Sequence, residues 1–292
     1  MPTRWISAAI AAFFAGLSFR FFLGLAGYLG NDALVYRAGA VELLHGRDPW
    51  SATINGYSYA APPLELVPFV PLALIPEWIV QPSAVAIALL SGGLIASRLQ
   101  LPAFWVMYPP MIFGIAIANP SIPGMAAVLY GFPLIGLMLR PQLLLVAPRR
   151  AIATFLLLSA AALLLVPGFI ASITNVASRY AAEGGIVVNA WMTPLMIPAA
   201  VALLLLARID GRAAAWLVVP AISPAVGWYG YTMVLPVKST PLAVACAIPI
   251  PGFGAVAITA YAVVRVVAHQ RDSPRAQRWL RFLNRLGQGA NP

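Results

Sequence analysis

Long stretches of this chain carry no charged side chain at all: Trp78–Ser97, Leu99–Leu139, Ala151–Ser178, Gly184–Ala207, Ala213–Val237 and Ser239–Val264. A helix that crosses a bilayer needs roughly 20 mainly apolar residues. Most of these stretches are long enough to cross once, and Leu99–Leu139 is long enough to cross twice. A soluble core does not leave so many windows without a charge. The composition agrees, with 61% hydrophobic and 9% charged residues and a mean hydropathy of +0.87. The expected fold class is therefore all-α, a polytopic transmembrane helix bundle of about eight to ten spans.

The net charge of +10 does not point to nucleic acid. Basic residues sit at the ends of apolar runs, where cytoplasmic loops of membrane proteins concentrate Lys and Arg. The densest cluster, Arg271, Arg275, Arg278, Arg281 and Arg285, lies in the last 22 residues, 271–292. There Ser273 and Pro274 suit a helix start. Trp279, Phe282, Leu283 and Leu286 form an apolar face opposite the arginines. This reads as a basic amphipathic tail on anionic cytoplasmic lipid. Residues 1–270 then make one transmembrane domain. The single cysteine, Cys246, lies in an apolar run and offers neither a disulfide within the chain nor a thiolate metal site.

Arg4 ahead of an apolar run at Trp5–Tyr28 predicts an uncleaved first helix with a cytoplasmic N-terminus. The stretch 30–63 is then extracytoplasmic. Half of the chain's eight acidic residues fall between Asp32 and Glu65. Asp32–His45 has helical spacing, with Leu34, Ala38, Val41 and Leu44 on one face, too short and polar to span. Gly46 is placed to end it. Asp48–Pro63 reads as an ordered loop with Trp50, Tyr57 and Tyr59 at headgroup level. Segments Leu64–Ile75, Trp78–Ser97, Leu101–Asn119 and Ile122–Leu139 follow. Breaks at Tyr108-Pro109-Pro110 and Asn119-Pro120-Ser121 are expected to line a cavity, because freed backbone groups at depth need partners. With Arg149-Arg150 cytoplasmic, the crossings from Pro63 must be odd in number, so one segment is re-entrant, half-length or fused. Beyond lie spans at Ala151–Ala171, Ala190–Ala207, Ala213–Leu235 and Leu242–Ala268, an external loop Ser172–Asn189, and a cytoplasmic C-terminus.

Local patterns in the first half carry a family resemblance. Asp32 follows the first helix, with Tyr36 four residues on. Leu43-Leu44-His45-Gly46-Arg47-Asp48-Pro49-Trp50 and Tyr59-Ala60-Ala61-Pro62-Pro63 come next. Tyr108-Pro109-Pro110, Asn119 and Leu139-Arg140-Pro141-Gln142 complete the series. Together they resemble the membrane-embedded GT-C glycosyltransferases, specifically glycosyltransferase family 87, the bacterial α-mannosyltransferase-like group. The chain departs from that family at Ile117, where a Gln is expected.

The resemblance implies a GT-C type bundle that transfers a sugar from a polyprenyl-phosphate donor to a lipid or glycan hydroxyl on the extracytoplasmic face. The sugar would be mannose or another hexose or pentose. Asp32 matches the catalytic Asp, and a positioned carboxylate is the right group to take a proton from a weakly nucleophilic hydroxyl. A cation is needed where phosphate charge develops; Arg140 is the first candidate, with Arg37, Arg20 and Lys238 as others. Tyr36, His45, Tyr59, Asn119 and Gln142 are further candidate substrate-binding residues. No metal or other cofactor is expected, since no Asp-x-Asp pair is present. Expected partners are the bilayer, the donor and the acceptor, with no nucleic acid, in a bacterial plasma membrane.

Each residue also has a structural role open to it. Asp32 suits an N-cap, His45 an interfacial position, and Arg20 can snorkel from a helix end. Asn119 and Gln142 can satisfy broken-helix backbone, and Glu42 and Asp48 can be solvated loop charges. Two other functions compete: a transporter or flippase, whose broken helices look similar, and a non-catalytic scaffold for envelope assembly. Against transport, the polar residues cluster on one outer loop.

Overall fold

The computed structural model describes residues 2–24, 27–59, 61–165, 187–188, 196–222, 226–250 and 252–272. The amphipathic tail and most of the Ser172–Asn189 loop lie outside them.

The described chain is mostly helical. Helix α1 spans Pro2–Gly24, α2 Asn31–Leu44, α3 Val70–Ala73, α4 Glu77–Leu99, α5 Pro109–Ala116, α6 Ser121–Leu129, α7 Pro133–Leu139 and α8 Arg149–Leu165. Four more follow: Met196–Ala207, Gly211–Ile222, Thr240–Cys246 and Phe253–Asp272. Short 3-10 turns at Pro63–Phe69, Ala103–Met107, Pro141–Val146 and Trp228–Val237 join them.

Proline sets this fragmentation. It removes an N–H donor and clashes with the preceding turn, so Pro63, Pro109, Pro133 and Pro141 stand at the starts of separate pieces, although Pro82 and Pro220 are accommodated inside helices. Among the described residues two segments, Glu77–Leu99 and Phe253–Gln270, are long and apolar enough to cross a membrane; α5 and α6 make a third if taken as one broken span. That pair is bent by 114°. The bend falls at the expected break Asn119-Pro120-Ser121, between the expected segments Leu101–Asn119 and Ile122–Leu139. The run Ala213–Leu235 does not stay helical either: it changes from helix at Ile222 to 3-10 turn at Trp228. Leu242–Ala268 is likewise divided, with helix ending at Cys246 and resuming at Phe253.

Helix α2 forms where its spacing placed it and stops before Gly46, whose φ is +69°. The face it buries is a different one. Ala33, Val35, Tyr36, Gly39 and Ala40 are buried, whereas Leu44 is exposed. Small side chains let this face lie close against the 3-10 turn Pro63–Phe69, α3 and α4. Leu34 is half-buried and Leu44 exposed.

The loop after α2 is more structured than its composition suggests. Thr53–Ile54 and Tyr57–Ser58 pair as a two-stranded hairpin, β1–β2, through Asn55-Gly56, both at positive φ. That geometry matches the twist of paired strands. Asn55 ties the hairpin to α2 by donating to the Asn31 side-chain oxygen at 2.9 Å. Trp50 and Tyr59 are buried beneath it, donating to the Ala61 and Pro62 carbonyls. They form the loop's own core instead of a headgroup belt; Tyr57 alone of the three rings is exposed.

A larger apolar core runs through α1, α4–α6 and the helices after Met196. Phe14, Trp105 and Tyr108 meet edge to face within it. Tyr108 donates across it to the Tyr231 carbonyl at 3.2 Å.

Candidate functional site

The site begins at a junction of two helix ends. Helix α5 closes with Asn119 N–H donating to Gly114 O and Ala118 N–H to Ile115 O, with Ala118 in the left-handed region at φ 54°. This is the Schellman arrangement, usually built on glycine. It leaves the Ala116 and Ile117 carbonyls without helical partners. The start of α2 supplies them: Gly30 N–H donates to Ala116 O at 2.7 Å and Asp32 N–H to Ile117 O at 3.0 Å. One helix's spare donors meet another's spare acceptors.

Gly30 makes this approach possible. Its φ is +67°, and a Cβ there would sit 2.6 Å from Gln81 Cγ. Gln81, from α4, donates its amide to the Leu29 carbonyl beside it.

Because backbone carbonyls satisfy the α2 N-terminus, Asp32 is not its N-cap. That position is Gly30, with no side-chain cap. The Asp32 carboxylate accepts instead from the Asn119 side-chain amide, and Asn119 Oδ1 accepts from Ser121 N–H at 2.9 Å. Asn119 therefore does serve the broken backbone, as expected, and at the same time orients a carboxylate. Burial pushes the Asp32 carboxyl up from 3.8 to about 6; the Asn119 hydrogen bond and the nearby Arg140 charge pull against that rise. A carboxyl held there is mostly ionised at neutral pH and basic enough to accept a proton.

Arg140 sits where α7 gives way to the 3-10 turn Pro141–Val146. Its guanidinium carbon lies 5.6 Å from the centre of the Tyr229 ring, and an Nη2–H donates to the Tyr229 hydroxyl at 3.5 Å. Tyr229 is held in turn by stacking on Phe113 at 6.3 Å. The Arg140 Nε–H is buried without a partner, as are Gln142 Oε1 and Ser121 Oγ. Buried polar atoms are rarely left so.

Tyr36 lies one helical turn from Asp32. It is buried, donates to Glu65 Oε2 at 3.1 Å, and packs on Phe69 and Tyr59. Glu65 is 3% exposed. The structure thus brings Asp32, Tyr36, Asn119 and Arg140 together, with Tyr59 packed against Tyr36.

It does not bring in the other expected cations. Arg37 turns away, donating to the Leu72 and Ile75 carbonyls and facing Glu77 at 3.6 Å. His45 is exposed and its Nδ1 lies 2.7 Å from the Val41 carbonyl at the end of α2. Arg20 is exposed on α1, and Lys238 is exposed after the 3-10 turn Trp228–Val237. Glu42 pairs with Arg47 at 2.8 Å, and Asp48 caps the Pro49–Ser51 turn by accepting from Trp50 N–H.

Glu65 and Tyr229 were not singled out by the sequence. Glu65 carried a signal, a lone acid in the apolar run after Pro62-Pro63. Tyr229, in the aromatic run Trp228-Tyr229-Gly230-Tyr231, carried none. Among the described residues no three His, Cys, Asp or Glu side chains converge as metal ligands. Comparisons with protein-family models, curated proteins and solved structures give no match.

Proposed function

We propose that this chain is an integral membrane glycosyltransferase that moves a sugar from a polyprenyl-phosphate donor to a lipid or glycan hydroxyl on the extracytoplasmic face of a bacterial plasma membrane. The observation that carries the reading is one half-buried site holding an oriented carboxylate, Asp32, within electrostatic reach of an anchored guanidinium, Arg140. The order of motifs that resembles glycosyltransferase family 87 supports it and makes mannose the first sugar to try.

In this reading Asp32 takes the proton from the acceptor hydroxyl as its oxygen attacks the anomeric carbon. The bond from that carbon to the phosphate oxygen breaks, and its electron pair leaves with the prenyl phosphate. Arg140 offsets the charge that develops there, in a site where low dielectric strengthens the effect. A single displacement inverts the anomeric centre. Asn119 keeps the Asp32 oxygens aimed, and no step requires a metal.

The test is purified protein in vesicles supplied with polyprenyl-phosphate mannose and a lipid acceptor. Glycosidic product with inverted configuration supports the proposal. Donor movement across the vesicle without product would replace it with a transporter.

A further inference from the structure

Two tyrosine rings stand exposed near the candidate base and take no part in the chemistry proposed for it. Tyr28, in the turn before α2, and Tyr57, on β2, meet edge to face with centroids 6.0 Å apart and planes at 88°. They are 39% and 42% exposed, whereas Tyr36 and Tyr59 close by in sequence are buried. The backbone under each ring is fixed. Tyr57 pairs with Ile54 in the hairpin, and Asn55 at the hairpin turn donates to Asn31 at 2.9 Å. Asn31 N–H in turn donates to the Tyr28 carbonyl at 3.0 Å, and the residue after Asn31 is Asp32. Tyr28 thus lies within about 14 Å of chain from Asp32, and Tyr57 is tied to the same turn.

The surface around the rings is polar and neutral. From Pro49 to Tyr59 the loop carries no charged side chain. The charges before it are occupied: Arg47 pairs with Glu42, and Asp48 caps the Pro49–Ser51 turn. An anionic headgroup is drawn to clustered Lys and Arg, which this loop lacks. A hydrocarbon chain would cover the exposed Asn55 amide without giving it a partner, which costs free energy. That amide has a second N–H and a carbonyl oxygen beyond its bond to Asn31. A neutral sugar suits both features. Its C–H face carries slight positive charge and lies well against the negative face of an aromatic ring, while its hydroxyls can pair with the amide. Rings already held at right angles form an ordered corner, so little side-chain freedom is lost on binding.

We infer that the Tyr28–Tyr57 corner docks a neutral glycan, so that the acceptor hydroxyl presented to Asp32 belongs to a sugar and not to a simple lipid alcohol. The acceptor half of this inference rests on the reading of Asp32 as the base of a sugar transfer. Tyr28 and Tyr57 are acceptor-specificity residues: they hold a sugar next to the reacting one and do not touch the proton in flight.

The experiment measures binding of mannotriose and of farnesyl methyl phosphodiester to detergent-purified protein, and transfer from polyprenyl-phosphate mannose to mannotriose. Wild type is expected to bind both probes. Tyr28→Ala and Tyr57→Ala should each weaken mannotriose binding by about fivefold or more, the size of one ring contact. The acceptor KM should rise to match, with phosphodiester binding and kcat at saturating acceptor unchanged. Tyr57→Phe keeps the ring and should bind within about twofold of wild type. Tyr57→Leu keeps apolar bulk without the π face and should be as weak as Tyr57→Ala, which a merely structural role would not predict. Mannotriose binding that survives both alanine variants, or that Tyr57→Leu retains, overturns the inference. Absence of mannotriose binding by wild type also overturns it; transfer to a lipid alcohol would then keep the sugar-transfer reading, with the rings as interface anchors. Ring-dependent binding without transfer to any acceptor overturns the sugar-transfer reading and the acceptor role that rests on it, while the glycan surface stands.

Discussion

The Asn119 side-chain amide donates to the Asp32 carboxylate across 87 positions of sequence. This bond joins the start of α2 to the bend between α5 and α6. A hydrogen bond to a charged acceptor contributes about 1.5–3 kcal/mol, and here it also opposes the burial that raises the Asp32 pKa. Asn119→Ala should lower transfer by at least about tenfold. It should also move the acid limb of the pH–rate profile to higher pH. Loss of the Ser121 N–H acceptor alone would not move that limb, so the profile separates the two effects.

The pH dependence of the wild type follows from the same carboxyl. A base works in its charged form, so transfer should fall as pH drops through about 6, not through 3.8. Arg140→Gln removes a charge that lowers this pKa, and its acid limb should lie above that of wild type. An acid limb near 4 in wild type would contradict the assignment.

The same shift has a stability sign. The folded state holds the Asp32 proton more tightly than the unfolded chain. That contribution is full below pH 3.8 and is lost as pH rises through about 6. Asp32→Asn removes the cost of burying the charge. Its melting temperature at pH 7.5 should equal or exceed that of wild type, and the gap should close towards pH 4. The full shift corresponds to about 3 kcal/mol, an upper limit.

Away from the site, Gly254 meets Tyr231 so closely that a Cβ there would sit 2.3 Å from Tyr231 Cζ. The ring is fully buried and cannot swing into open space. Gly254→Ala should therefore destabilise the protein by about 1–3 kcal/mol through overpacking. A thermal melt checks this, and Gly93→Ala, with nothing within 4 Å, is the control expected to leave stability unchanged or raise it.

How much of this was legible in the sequence depended on the range of the signal. Helix α2 and its stop at Gly46 are written locally. Its buried face was not: Leu34, Val41 and Leu44 mark an apolar stripe, but small residues, not large ones, decided which side could approach Tyr59 and Leu66. Angular position explains the partial success with charges. At about 100° per residue, Tyr36 lies about 40° from Asp32 around the helix and Arg37 about 140°. The family pattern named Tyr36 and charge named Arg37; Tyr36 turns inward to Glu65, whereas Arg37 turns to the Leu72 and Ile75 carbonyls. The Asn55-Gly56 hairpin could have been read, since that dipeptide is the strongest short-range hairpin signal. Tyr229 could not, because nothing local distinguishes a ring that holds an arginine from one that fills a core. Hydropathy marked apolar runs but not where proline would divide them.

Asp32 is the base of the proposed sugar transfer. The most direct measurement is single-turnover transfer by wild type and Asp32→Asn in vesicles loaded with polyprenyl-phosphate mannose and acceptor. Melting temperature and binding of the farnesyl phosphodiester are read on the same samples. The account predicts that the variant melts no lower than wild type, binds the phosphodiester at least as well, and transfers sugar at least about a hundredfold more slowly, the contribution expected of a general base. Transfer at the wild-type rate by a folded, ligand-binding Asp32→Asn protein would contradict it.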